Sequence, residues 1–587
     1  MNITPWALLL GTLTLGCGDG SEATPNAGPA HSAAADPAVA IAGLVDVADA
    51  AGIDFVHTHG GDGRKFLFET MGSGLAASDF DGDALPDLLF LQSGTLPHDE
   101  FTDEDRKRAH HAAGESHKLY RNLGDLTFDD ITADSGLTEP VYAMGLAVGD
   151  IDSDGDRDLW VACYGDDQLF ENDGKAHFTD VTQASGLSDS RWTIGGSFFD
   201  ADLDGDLDLY SVLYLDMPVS SHRFCGPRPI RTYCHVDSWP GEDDRLWIND
   251  GGGRFSDGSA AAGLVGTAGK GLTVVAADHD DDGDIDLFVA NDSQANLMLR
   301  NDGGGRFTDV GAMSGADLNG EGRTEACMGA DIGDLDGDGD LDMYVVNYQQ
   351  ETNTLYRNDG GGFFTDVSVL SGAGGPTLPL LGFGTVFVDA ENDGDLDIYV
   401  ANGHIMDNIH ELEDLTTFAQ PDQLFLNDGK GRFSAAPASL GTSLAVNRVG
   451  RGVARVDLDR DGDTDLVVSN SGGSPWVLKN ELAQGHRLAL VLSGPGGRAD
   501  AEGARVTVTA GGRTVVRELV SGGSYVSQSD SELIIGLGPA TTIDSLTIRW
   551  PGGGTSAHND LAVDQRHHIA FGGQLLRSEP LAPGDAR

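Results

Sequence analysis

The sequence predicts an all-β protein: a seven-bladed β-propeller with four strands per blade, followed by a small C-terminal β-sandwich or barrel. Three observations predict it. A nine-residue acidic pattern, Asp-x-Asp-x-Asp-Gly-x-x-Asp, recurs seven times in 587 residues. Each copy lies between short apolar runs of strand length. A final strand missing from the end of the array stands unattached at its beginning. Units that repeat at such a period bury their faces only against neighbours, and four-stranded units arranged radially close into a propeller.

The acidic loops come first because they also name a ligand. Their carboxylates at positions 1, 3, 5 and 9 are Asp79, Asp81, Asp83 and Asp87; Asp150, Asp152, Asp154 and Asp158; Asp200, Asp202, Asp204 and Asp208; and Asp278, Asp280, Asp282 and Asp286. The last three sets are Asp334, Asp336, Asp338 and Asp342; Asp389, Glu391, Asp393 and Asp397; and Asp457, Asp459, Asp461 and Asp465. Carboxylates at this spacing, with a backbone carbonyl at position 7, form a flexible oxygen cage that suits Ca²⁺ better than the smaller octahedral Mg²⁺. Up to seven Ca²⁺ ions are expected. A glycine at position 6 permits the turn. Copy one departs there with Ala84 and copy six at position 3 with Glu391, so these two sites are expected to be the weakest.

Around each loop the unit reads in a fixed order. A glycine stands five residues before the first Asp in six copies (Gly74, Gly145, Gly195, Gly329, Gly384, Gly452), with Thr273 in the fourth. Small or apolar residues after it read as a buried inner strand. A hydrophobic run follows the loop, as at Leu287 to Asn291. Next comes a Leu-aromatic-x-Asn strand, as at Leu119 to Asn122, Leu169 to Asn172, Leu355 to Asn358 and Leu424 to Asn427. An Asn-Asp-Gly hairpin turn and a Phe-Thr-Asp-Val type strand complete four strands. The seventh unit lacks that last strand after Asn480. Leu44-Val45-Asp46-Val47 is expected to supply it and close the ring.

These units resemble the FG-GAP and VCBS-type repeats of integrin α-subunit propellers and of many exported bacterial proteins, over roughly residues 41–480. In that family such loops bind Ca²⁺. Residues 481–575 alternate β-branched and polar residues, as at Ala504 to Thr509 and Ser545 to Trp550, and read as strands with one buried face. The run Arg517-Glu518-Leu519 through Ser524-Tyr525-Val526-Ser527-Gln528-Ser529, then Gly536-Leu537-Gly538 and Arg549-Trp550-Pro551, resembles an ASPIC/UnbV domain. Together the two parts make the chain similar to the cartilage acidic protein family and its bacterial relatives. Residues 576–587 read as a tail.

Composition narrows the partners. The formal charge is −58, and 35 of the 94 acidic residues lie in the seven loops. The ion-free chain should repel itself, and metal should contribute to its folding free energy. Nucleic acid is excluded, because the 36 Lys and Arg are scattered and form no extended basic face. Residues 1–17 read as an export signal whose apolar core, Trp6 to Leu15, is too short to span a bilayer. It ends in Thr14-Leu15-Gly16-Cys17, which resembles a lipobox with Cys17 as the acylated residue. Residues 18–40 would be a flexible tether. The chain is expected to be an exported cell-envelope lipoprotein at the outer membrane or cell surface, or a secreted protein, touching membrane only through its lipid. Cys225 and Cys234 bracket a short loop and are expected to pair, whereas Cys163 and Cys327 read as buried thiols.

Up-and-down connectivity puts the acidic loops and the Asn-Asp-Gly hairpins on one rim. Long insertions fall on the other: 93–117 (with Arg106, Lys107, Arg108, His110 and His111), 215–243 (with Arg223, Arg228, Arg231 and Trp239) and 404–421. The crossover carrying His57, His59 and Glu69 emerges there, as does His404. Insertions gathered on one face of a repeat ring mark its working surface. No Gly-x-Ser-x-Gly elbow, phosphate-binding loop or His-Glu-x-x-His helix is present, and no catalytic residue or organic cofactor is assigned. The expected function is a calcium-binding cell-surface recognition or adhesion scaffold for an extracellular carbohydrate or protein. The alternative is an extracellular polysaccharide lyase or hydrolase using the propeller channel, with His57, His59 and His404 as a second metal centre or acid–base cluster.

Overall fold

Seven four-stranded antiparallel units follow one another among the residues that the computed structural model describes, 43–94 and 116–582. The first runs Leu75–Ser78, Asp87–Phe90, Lys118–Asn122 and Phe128–Asp130. Units two to six repeat this order, beginning at Ala143–Gly149, Thr193–Phe199, Gly271–Ala277, Glu325–Gly333 and Gly382–Val388. Unit seven has Gly450–Val456, Asp465–Asn470 and Trp476–Asn480, and its outer strand is Leu44–Asp46, paired antiparallel with Leu44 opposite Asn480. The orphan therefore sits where expected. Asp46 also does what its counterparts do. Its Oδ1 accepts the Ala48 N–H, as Asp130, Asp180 and Asp257 accept N–H groups two residues ahead, starting the short helix that leads out of every unit but the sixth, where Ala435 takes the place of the aspartate.

The Leu-aromatic-x-Asn motif shows why the units hold together in a cycle. Each Asn side chain donates to a backbone carbonyl in the acidic loop of the preceding unit: Asn172 to Phe80, Asn249 to Ile151, Asn301 to Ala201, Asn358 to His279, Asn427 to Leu335 and Asn480 to Ala390. Asn122 of unit one completes the series by donating to Leu458 of unit seven at 2.9 Å. First strands also lie side by side around the ring, with Leu75–Ser78 meeting Gly450–Val456. Apolar clusters fill the spaces between adjacent sheets; one packs Ile53, Phe55, Leu75 and Phe90 of unit one against Val456 and Val467 of unit seven.

Residues 486–580 form two four-stranded sheets around a core that includes Leu488, Leu490, Val506, Val508, Ile535, Leu546, Ile548 and Ile569. One sheet contains a parallel pair, His486–Ser493 with Gln565–Ala570. This sandwich does not simply follow the ring. It lies on the acidic-loop rim and sends Ser521 to Ser529 down the axis. Ser521 and Gly522 pair with Ala276 and Val275, Gly523 N–H donates to Val274, Ser524 accepts from Ala330, and Gln528 exchanges bonds with Leu75 and Ala77. The inner edges of several units thus find partners that an open channel would leave to water.

The plug, together with the first strand of the next unit, crowds most of the glycines five residues before the acidic loops; at Gly384 the close atom is the Arg451 carbonyl, 2.5 Å from a Cβ, and at Gly195 nothing lies nearer than 3.9 Å. A Cβ at Gly74 would lie 2.6 Å from the Val526 carbonyl, one at Gly329 2.6 Å from the Ser524 carbonyl, and one at Gly452 2.8 Å from that of Tyr525. Thr273, the exception, uses its hydroxyl to donate to the Ser524 carbonyl at 3.1 Å. Tyr525 is fully buried at the far end, donating to Met71 O at 2.9 Å and meeting Phe383 edge-on.

Candidate functional site

The strands on either side fix the acidic loops rigidly. In all seven, the position-9 Asp is the first residue of the second strand, and its Oδ2 accepts the position-2 N–H, as in Asp87 with Phe80 and Asp158 with Ile151. Its Oδ1 accepts the N–H of the clip Asn, as in Asp87 with Asn122 and Asp158 with Asn172. Position 6 takes positive φ throughout: Gly155 lies at 99°, Gly205 at 105° and Gly283 at 101°. Ala84 is forced to 70°, a conformation costly for a residue with a Cβ.

Carboxylates at positions 1, 3 and 9 converge. In the loops of units one, two, three and five, Asp79/Asp81/Asp87, Asp150/Asp152/Asp158, Asp200/Asp202/Asp208 and Asp334/Asp336/Asp342 each bring three oxygens within 4.8 Å of one another. Unit four groups Asp278, Asp280 and Asp282 instead, and there Asp286 pairs with His279. At position 5, Asp83, Asp154, Asp204 and Asp338 direct one oxygen to the N–H two residues ahead. Burial, reinforced by the neighbouring carboxylates, pushes the carboxyls of Asp87, Asp158, Asp208 and Asp342 up to about 8 even though each accepts two backbone N–H bonds. One oxygen of Asp152, Asp202, Asp280 and Asp459 is buried without a hydrogen-bond partner. Orphaned carboxylate oxygens inside an all-oxygen cluster fit a hard divalent cation, and the residues present therefore suit Ca²⁺.

The sandwich supplies cations and N–H groups to the same rim. Arg549 donates to Asp278 at 2.6 Å, Arg566 to Asp457 at 2.8 Å, and Arg487 pairs with Asp463 at 3.2 Å. Arg517 reaches the Gly394 carbonyl. Ala499 N–H donates to Asp150 and Gly536 N–H to Asp389. In return, Arg157 of loop two makes a two-pronged contact with Asp500 at 2.7 Å. The acidic loops thus share one rim, and the sandwich that covers it has no signature in the sequence of the loops themselves.

On the opposite rim the insertions 215–243 and 404–421 meet the crossover that carries Arg64 to Glu69. Lys65 pairs with Asp407, the His222 ring contacts the Arg64 carbonyl at 2.7 Å, Asn408 donates to the Arg231 carbonyl, and Tyr233 donates to Glu69. Cys225 and Cys234 form the expected disulfide, and Cys163 and Cys327 are buried free thiols. Trp239 is buried in the core rather than displayed, its indole N–H on Ser221. At the mouth of the plugged axis lies a cavity of about 290 Å³ bordered by Met71, Tyr233, Ala326, Met328, Tyr348 and Phe383, with Asp292 and Glu351 on its wall. Beside it Arg451 is buried with four carbonyl acceptors and no carboxylate, over the Phe383 ring at 3.8 Å; burial lowers it to about 10.

The three histidines do not form a centre. His57 accepts the Gly472 N–H at one ring nitrogen and meets Ser93 Oγ at the other, and burial lowers it to about 3. His404 accepts the Met406 N–H and meets the Tyr348 hydroxyl, lowered by burial to about 4. His59 Nδ1 is taken by Gly61 N–H. Local hydrogen bonds engage both ring nitrogens of His57 and His404 and the Nδ1 of His59, and the plug fills the ring axis. Arg106, Lys107, Arg108, His110, His111 and Cys17 lie outside the described residues, as do the expected export signal and tether.

Comparisons with known families agree with this architecture. FG-GAP-like repeats match at residues 79–161, 150–211, 278–345 and 334–400, and the family described as ASPIC and UnbV matches at 494–575. The chain is a β-propeller protein of FG-GAP-like repeats that ends in an ASPIC/UnbV domain. Among curated proteins none matches it. Among solved structures, it is similar to an Agrocybe aegerita lectin that recognises non-reducing terminal N-acetylglucosamine (15% identity, 71% of this chain and 90% of that one, TM-score 0.34). It is also similar to Bacillus licheniformis rhamnogalacturonan lyase PL11 (13% identity, 76% and 82%, TM-score 0.29) and to YCF48 bound to D1 peptide (8% identity, 70% and 94%, TM-score 0.36). At these scores none bears on function.

Proposed function

We propose that this protein is an exported, lipid-anchored calcium-binding scaffold that displays one rim of its ring to an extracellular carbohydrate or protein. The observation that carries this reading is the division between the two rims. The acidic rim is committed to its own cages and to the sandwich that covers it. The other rim carries the insertions, the disulfide and a cavity of about 290 Å³ whose wall mixes apolar and aromatic residues with a few polar groups, the composition of a ligand site. Calcium acts structurally: held by the carboxylates at positions 1, 3 and 9, it would neutralise desolvated charge and fix the geometry of the ring. The cavity's apolar wall suits the C–H face of a sugar or an aliphatic side chain, and Tyr233, Tyr348, Asp292 and Glu351 supply directional polar contacts.

The test is binding of the purified full chain, with calcium, to immobilised surface polysaccharides and envelope proteins. Ala326 borders the cavity from a partly exposed position, so Ala326→Phe fills it without disturbing the core. Binding that this variant loses at unchanged Tm supports the proposal. Binding that survives the substitution, or no binding to any surface polymer, contradicts it.

A further inference from the structure

We infer that the disulfide-bonded loop on the open rim is an anion subsite for a carboxylate- or sulfate-bearing polysaccharide, an inference that rests on the recognition reading above and specifies its ligand. In a chain with 94 acidic and 36 basic residues, several half-buried or exposed arginines pair with a nearby carboxylate. Arg245 pairs with Asp257, Arg300 with Asp302, Arg357 with Asp359 and Arg121 with Asp81. Among the described residues Arg223, Arg228 and Arg231 pair with no carboxylate, which is also true of the exposed Arg254, Arg306 and Arg432; what sets the three apart is that they share one nine-residue stretch around an exposed aromatic ring.

Their surroundings show why. Arg228 and Arg231 flank the Phe224 ring, at 5.2 and 5.6 Å from its centroid, and Phe224 is 39% exposed. Arg223 makes only a neutral bond, to Ser238 Oγ at 2.9 Å. The nearby acids are engaged elsewhere: Asp237 with Lys270, Asp407 with Lys65, Asp62 with Arg64 and Glu69 with Tyr233. Arg231 Nε is buried with no acceptor. Its Nη2 lies 3.0 Å from His222 Nε2, but that nitrogen is also 2.7 Å from the Arg64 carbonyl. A ring nitrogen that donates to a carbonyl cannot accept from a guanidinium, so Arg231 keeps unmet donor capacity.

The disulfide and the bond from Asn408 to the Arg231 carbonyl hold the loop, so little entropy is lost on binding. Guanidinium forks match planar carboxylate and sulfate groups, and the exposed ring offers a face to sugar C–H groups. Charge favours a thin polysaccharide over an acidic protein. At physiological salt the Debye length is about 8 Å, so the patch acts only locally. A sugar chain can touch the loop alone, whereas a broad acidic surface would also meet a body of charge −58. Residues Tyr233 and His235, next along the loop, border the cavity, which gives the chain a continuous track.

The experiment compares the calcium-loaded full chain, at physiological ionic strength, on polygalacturonate, dextran sulfate, neutral dextran and a poly-glutamate peptide. We expect binding to polygalacturonate or dextran sulfate and none to dextran, the two anionic arms separating carboxylate from sulfate. The triple variant Arg223→Ala, Arg228→Ala, Arg231→Ala should weaken it by about tenfold or more at unchanged Tm. The control triple Arg254→Ala, Arg306→Ala, Arg432→Ala should bind as wild type. Equal binding by the first triple, preference for poly-glutamate, or failure to bind either anionic polysaccharide would overturn the inference. If neutral surface glycans bind and Ala326→Phe abolishes it, the recognition reading stands while this subsite falls.

Discussion

Replacing Tyr525 with alanine should destabilise the propeller, although the residue lies in the C-terminal domain's segment of the chain. Its side chain is fully buried at the ring axis, with the Phe383 ring centroid 5.0 Å away and its hydroxyl on Met71 O at 2.9 Å. Truncating a buried aromatic costs about 3–5 kcal/mol. Leaving the Met71 carbonyl without a donor adds about 1 kcal/mol or more. The total, about 4–6 kcal/mol, is a large part of the 5–15 kcal/mol by which domains are typically stable. Tyr525→Phe keeps the packing and should lose only about 1 kcal/mol. Urea unfolding followed by tryptophan fluorescence suits the test, because Trp160 and Trp192 are buried in the propeller. The reasoning fails if Tyr525→Ala shifts the free energy by less than about 1 kcal/mol, or if only the sandwich responds while those tryptophans do not.

Ala84→Gly should stabilise the chain by about 1 kcal/mol, since it relieves a Cβ at φ 70°; a lower urea midpoint would contradict the strain. Asn301→Ala removes two buried bonds, to Ala201 O and Ile285 O, and should cost about 2–3 kcal/mol by the same assay. Deleting residues 43–56 strips unit seven of its outer strand and should lower Tm by about 10 °C or more; an unchanged Tm would disprove closure by the N-terminal strand. Arg566→Met leaves Asp457 and Glu532 buried without their cation and should cost about 3–5 kcal/mol, most of it recovered in the double variant with Asp457→Asn.

The ring was legible because its determinants are local and repeated. Asp at position 9, the clip Asn and the turn glycines each act within one unit or reach a neighbour through the same side chain seven times. Closure was legible for a related reason: Leu44–Asp46 carries the aspartate cap found in five of the other six outer strands, the sixth having Ala435. The plug was not legible. Ser521 to Ser529 is small and polar, with no hydrophobic period, and its partners lie as far away in the chain as Met71 and Leu75. The glycine before the loops was visible as a pattern, but what crowds it, the plug at Gly74, Gly329 and Gly452 and the next unit's carbonyl at Gly145 and Gly384, appears only in the structure. Histidines 57, 59 and 404 misled because sequence shows a shared rim and not which nitrogens the backbone already occupies. The three arginines of the disulfide loop were visible as charge; that they pair with no carboxylate among the described residues required the structure.

Calcium titration of the chelated full chain, by calorimetry and by thermal unfolding, tests the central account most directly. Orphaned oxygens at Asp152, Asp202, Asp280 and Asp459 and the converging carboxylates predict uptake of several ions, up to seven. Each site adds about 2.7 kcal/mol at a hundredfold excess over its Kd, so Tm should rise steeply with calcium and much less with magnesium. A chain that takes up no calcium, or melts at the same temperature with and without it, would contradict the account.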